Sequence, residues 1–106
     1  MPTPHHPSAK ARKALGKLGA DIRDARRRRH LPMALVADRA FTSRATLHRV
    51  EQGDPSVSMG IYASVLQTLG LLEGLAALAD PANDPMGRTL AEESLPKRVR
   101  LRERKC

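Results

Sequence analysis

The chain holds no tryptophan, one phenylalanine, one tyrosine and one cysteine among 106 residues. So few aromatics leave any core to be built from Leu, Val, Ile, Met and Ala, which suits helix-on-helix packing better than a sheet. The lone cysteine, Cys106, permits no internal disulfide and no CxxC metal pair, in keeping with a reducing cytoplasm. No apolar run approaches the roughly 20 residues of a membrane span, and "MPTPHHPSAK" lacks the apolar segment of a signal peptide. A soluble, cytoplasmic protein is expected. Also missing are a Gly-rich phosphate loop and any Ser-His-Asp or Cys-His arrangement, while acids such as Asp54 and Glu73 have no partner at a useful spacing. His48 has no carboxylate four residues to either side to orient it as a base, and His5 with His6 supplies too few ligands for a metal. No catalytic residue, cofactor or metal is therefore expected, and the chain reads as a non-enzyme.

What is abundant is positive charge, a net +8 that is concentrated at two places. Residues 10–29 hold nine Lys/Arg against two Asp, residues 97–106 hold six against one Glu, and the remainder is acidic on balance. A chain polarised in this way is suited to a polyanion, with nucleic acid the first candidate. The plainer alternative is that "ARRRRH" is a solvated helix face and "KRVRLRERKC" a disordered tail.

Periodicity points to helices throughout. Residues 1–12 read as a flexible leader containing three prolines. A first helix is expected over Lys13 to Arg29, with Leu15, Leu18, Ile22 and Ala25 inward. Gly16 and Gly19 weaken its start, each by up to about 1 kcal/mol against Ala. Pro32 suits the first position of a second helix, whose inward stripe is Leu35, Val36 and Ala40. Ser43 is a good N-cap for a third helix from Arg44 to about Gln52, ended by Gly53 in a left-handed conformation. Ser58 caps a fourth, with Met59, Tyr62, Val65, Leu66 and Leu69 on one face, and Gly70 stops it. "LLEGLAALAD" makes a fifth. The expected fold is all-α, a compact five-helix bundle: residues 13–80 form the main domain, and 81–106 a short helix, Met86 to Ser94, followed by a basic tail.

The short joint between helices two and three is that of a helix-turn-helix. Leu47 and Val50 would anchor the third helix, leaving Arg44, Ala45, His48 and Arg49 facing out near its start, where a recognition helix meets base edges in the major groove. Arg can bond both acceptors of a guanine, an Ala methyl can meet a thymine methyl, and His can donate to guanine or phosphate. Thr42 and Ser43 at the helix start, with Arg28 and Arg29, are the expected backbone contacts. The competing possibility is that Arg44 and Arg49 are ordinary surface residues, Arg49 pairing with Asp54 or Glu51.

The segment from Leu18 to Gly70 resembles the helix-turn-helix domain of the XRE family, the group of lambda-repressor and Cro-like regulators. The likeness is carried by "LGADIRDARRRRHL", "VADRA", "SRATLHRVEQG" and "SMGIYASVLQTLG". By this resemblance Ser43, Arg44, Ala45, His48 and Arg49 fall where family members contact bases or backbone. Two residues depart from the pattern: Met33 replaces the usual Gln that contacts DNA, and Phe41 replaces the usual turn Gly. A bulky aromatic resists a positive φ, so Phe41 is expected either to strain the turn or to pack inward with the turn adjusted around it. "ADPANDPMGRTLAEESLPKRVR" is similar to the tail of HipB-like antitoxins, which implies an autorepressor paired with a kinase-type toxin.

Helix five offers a wide apolar stripe, and Leu72, Leu75 and Leu78 are expected at a dimer interface. A two-fold homodimer would hold two recognition helices about 34 Å apart on a palindromic operator. The expected function is thus a sequence-specific double-stranded-DNA-binding transcriptional regulator, a repressor or autorepressing antitoxin, nucleoid-associated when bound and without a membrane. The rival is a protein-interaction module whose working surface is helix five with the tail. The basic arm suits DNA backbone, a partner surface or disorder alike.

Overall fold

The computed structural model describes residues 5–94, which fall in two compact units, one ending at Leu72 and the other starting at Glu73. The start of the leader and the basic arm at 97–106 lie outside the described residues. Every regular element among the described residues is helical, as expected from the composition.

The first unit contains α1 (Ala9–Arg28), α2 (Met33–Arg39), α3 (Arg44–Glu51) and α4 (Met59–Thr68). Helix α1 begins four residues before Lys13, so residues 9–12 are helical instead of leader. The cause is Ser8, whose extended backbone lets its Oγ accept the Ala11 N–H at 3.1 Å. With that cap in place, the glycines fall well inside the helix. Gly19 is buried against the end of α3: a Cβ there would lie 2.5 Å from the Gly53 nitrogen and 2.7 Å from the Val50 oxygen. The residue that weakens α1 in isolation is the one that lets α3 approach it.

All four helices close in the same way. In each, the residue after the C-cap is left-handed and two backbone bonds seal the end, the Schellman arrangement. For α3 the Asp54 N–H donates to the Arg49 carbonyl at 3.0 Å and the Gly53 N–H to Val50 at 2.9 Å. The corresponding residues are Gly70 after α4 (φ 77°), His30 after α1 (φ 53°) and Phe41 after α2 (φ 58°). Phe41 therefore adopts the left-handed conformation that its side chain disfavours, since the Phe41 and Thr42 N–H groups are needed by the Asp38 and Ala37 carbonyls, at 3.1 and 2.9 Å. Its ring does not pack inward; it is 95% exposed. Pro32 has extended backbone and serves as N-cap, with Met33 the first helical residue.

The core joins Ile22 and Ala25 of α1, Val36 and Ala37 of α2, Leu47 and Val50 of α3, and Tyr62, Val65 and Leu66 of α4, with Leu69. Helix α3 packs on both α1 and α2, and α2 on α4. Leu15, Leu18 and Leu35 are only half-buried. Met59, expected inward, is 72% exposed because it opens α4 ahead of the turns that pack.

The second unit contains most of α5 (Leu72–Ala76), a 3-10 turn at Pro81–Asn83 and α6 (Pro85–Ser94). Asp80 caps the turn by accepting the Ala82 N–H at 2.8 Å, and Asp84 caps α6 by accepting that of Gly87 at 3.0 Å. The Asn83 side chain donates to the Ala77 carbonyl at 2.8 Å. Helix five ends at Ala76 and not near Ala79, which leaves Leu78 in a turn. None of residues 73–94 is buried.

Candidate nucleic-acid interface

Helix α3 owes its orientation to two faces of different chemistry. Leu47 and Val50 are completely buried, which turns Arg44, Ala45 and His48 toward solvent. At its start the Ser43 Oγ accepts the Thr46 N–H at 3.1 Å and donates to the Thr46 Oγ1 at 3.0 Å, so this hydroxyl is occupied by the cap. Arg44, Ala45, His48 and Arg49 line one open depression of about 590 Å³ together with Met33 from the start of α2. All four residues expected at base edges are thus brought together.

Arg49 is the most restrained of the four. Its Nε donates to the Asp54 Oδ2 at 2.9 Å and its Nη2 to the Ser56 Oγ at 2.6 Å. This is one of the two pairings open to it in the sequence; the other, Glu51, turns inward. Asp54 also accepts the Ser56 hydroxyl at 2.7 Å and the Ser56 N–H at 2.8 Å. The Ser56 hydroxyl, then the Arg49 guanidinium, then the Ser56 N–H hold its carboxyl down at about 2. Tyr62 donates its hydroxyl to the Asp54 carbonyl at 2.8 Å, and burial pushes its phenol above the usual range. The loop that follows α3 is clasped from both sides.

The expected backbone contacts are more scattered. Thr42 is half-buried, Arg28 is exposed at the end of α1, and the Arg29 Nη1 donates to the Ala25 carbonyl at 2.9 Å. Neither Arg28 nor Arg29 lines the depression. Leu72 and Leu75 are half-buried and Leu78 is exposed.

Two features were missed in the sequence. The first is a buried ion pair: Arg26 Nε and Nη2 donate to the two Glu51 carboxylate oxygens at 2.7 and 3.2 Å, while Nη1 donates to the Leu31 carbonyl at 3.1 Å. One guanidinium thereby joins α1, the α1–α2 joint and the end of α3. Its signal was present, since Glu51 lies four residues after Leu47 on the inward face, where an acid needs a cation. The second is a smaller depression of about 270 Å³ above this pair, lined by Arg23, Arg27 and Gln52 and sharing Met33 and His48 with the first. Its signal was Arg23 and Arg27 four apart on one helix face.

Among the described residues no three His, Cys, Asp or Glu side chains are grouped to hold a metal ion, and no helix is long and apolar enough to cross a membrane. A family model described as a helix-turn-helix domain matches residues 17–79, more than half of the chain. Neither a curated protein nor a solved structure matches it.

Proposed function

The chain belongs to the helix-turn-helix domain family, which points to a DNA-binding regulator, and on that premise we propose that it is a sequence-specific regulator of transcription acting on double-stranded DNA. The observation that carries this reading is the outward set on α3: Arg44, Ala45 and His48 exposed around one depression, over a helix anchored by Leu47 and Val50. Arg44 supplies a bidentate donor for guanine, Ala45 a methyl for thymine and His48 a further donor. Arg49, tied to Asp54 and Ser56, supports the loop and presents only its remaining N–H groups to DNA. Thr42 and Ser43, with Arg28 and Arg29, supply backbone contacts.

Repression, including autorepression as an antitoxin beside a kinase-type toxin, is the regulatory mode this reading favours, in the cytoplasm and at the nucleoid. A homodimer on a palindromic operator is part of the same proposal. It is supported by the second unit, where residues 73–94 bury no side chain and Leu78, Met86 and Leu90 are exposed. A helical segment without a core of its own gains stability from a partner surface, with Leu72, Leu75 and Leu78 in the interface. The same observation favours a second reading, in which this segment binds another protein and DNA binding is secondary.

Selection of duplexes from a random pool, followed by binding titrations with single-base variants, tests the proposal. Arg44→Ala is expected to cost about 1–3 kcal/mol at one base position and to relax specificity there. A pool that yields no enriched sequence, or an Arg44→Ala variant with unchanged specificity whose self-association or partner binding is lost on Leu75→Asp, would favour the second reading.

A further inference from the structure

The smaller depression beside α3 is used by nothing described so far. Its floor is electrically closed, because the Glu51 carboxylate and the Arg26 guanidinium neutralise one another and the third Arg26 nitrogen, Nη1, donates to the Leu31 carbonyl. Met33 adds an apolar wall without a donor. Its exposed lining includes two further arginines, Arg23 and Arg27, and Gln52. Both arginines are exposed, and neither has an ion-pair or hydrogen-bond partner among the described residues. Like charges four residues apart on a helix repel, and an anion between them removes that repulsion. Asp21 is committed to Lys17 at 2.6 Å and supplies no such anion.

We infer that this depression seats one backbone phosphate of duplex DNA, held by Arg23, Arg27 and the Gln52 amide. The inference rests on the DNA-binding reading and extends it from α3 onto α1. His48 belongs to the rim of both depressions, so a strand whose bases lie against Arg44 and Ala45 runs past His48 toward α1. A planar guanidinium pair matches the tetrahedral oxygens of a phosphodiester and tolerates its rotation. Such a contact carries register and affinity but no base preference. Arg28 and Arg29, the arginines picked out by the sequence, do not line this depression; Arg23 and Arg27 do.

The test compares Arg23→Gln/Arg27→Gln with Arg12→Gln/Lys13→Gln, which removes the same charge from exposed positions nearer the start of α1. Circular dichroism and thermal melts establish that both variants fold. Binding of the selected operator and of a random duplex is then titrated across a salt series. The Arg23/Arg27 variant should weaken both duplexes alike and lower the slope of log K against log salt by about one, the share of a single phosphate. The Arg12/Lys13 variant should keep a slope near that of the wild type. Methylphosphonate scanning of the operator should reveal one position whose neutralisation weakens the wild type and leaves the Arg23/Arg27 variant unaffected. Equal losses in the two variants, or no such position, overturn the phosphate seat while the DNA-binding reading stands. A wild type that binds no duplex overturns both.

Discussion

Glu51→Ala offers the sharpest test of how α3 is held. The substitution leaves Arg26, whose side chain is only 11% exposed, with Nε and Nη2 unsatisfied and its charge uncompensated. Each lost bond to a charged partner is worth about 1.5–3 kcal/mol, and breaking a buried ion pair costs about 3–5 kcal/mol in all. Against a total stability of roughly 5–15 kcal/mol this is a large fraction, and for a domain this small it lowers Tm by at least about 12 °C. Urea titration followed by helical circular dichroism measures it as a fall in midpoint at constant m-value. Arg26→Met with Glu51→Leu should recover most of the loss, since an apolar pair of similar volume needs no counter-charge. A single variant that loses under about 1 kcal/mol, or a double variant no more stable than the single, would refute the claim that this pair secures the end of α3.

Three other outcomes follow from the same geometry. Phe41→Gly should stabilise the protein by about 0.5–1 kcal/mol, because relief of left-handed strain of about 1–2 kcal/mol exceeds glycine's entropic penalty and the exposed ring packs on nothing; destabilisation in a urea titration would contradict this. Gly19→Ala should destabilise by about 1–2 kcal/mol despite the better helix propensity of Ala, since its Cβ would meet the backbone of Gly53 and Val50. For pH the depressed Asp54 carboxyl sets the sign. Its contribution to stability is fully present above the ordinary value of 3.8 and is lost as pH falls through about 2. Asp54→Asn should therefore flatten the part of the urea-midpoint decline that falls between about pH 4 and pH 2, and an unchanged decline would remove Asp54 from the account.

The all-α fold and most of the first four helices were legible in the sequence because their signals are local. Ser43, Ser58, Gly53 and Gly70 mark ends by their own chemistry. The Leu47 and Val50 spacing likewise separates the inner from the outer face of α3. What the sequence left hidden depends on residues far apart in the chain. Arg26 and Glu51 are separated by 25 positions, and only the packing of α1 on α3 explains an acid on the inward face. The same packing converts Gly19 from a weak helix residue into a required one. Of the two outcomes the sequence left open for Phe41, the strained turn is the one observed, because the closing bonds of α2, which fix its backbone, outweigh the burial its ring would have gained. The apolar residues from Leu71 to Ala79 keep a helical spacing, yet the helix stops at Ala76 and the chain turns after it, so apolar spacing alone does not mark that end.

With no tryptophan in the chain, its sole tyrosine dominates near-ultraviolet emission. Tyr62 is bonded to the carbonyl of Asp54, the residue that also grips Arg49 beside the outward surface of α3. The molecule consequently carries its own optical reporter at the back of that surface. Label-free fluorescence can register whether the clasp around Asp54 loosens when a ligand arrives.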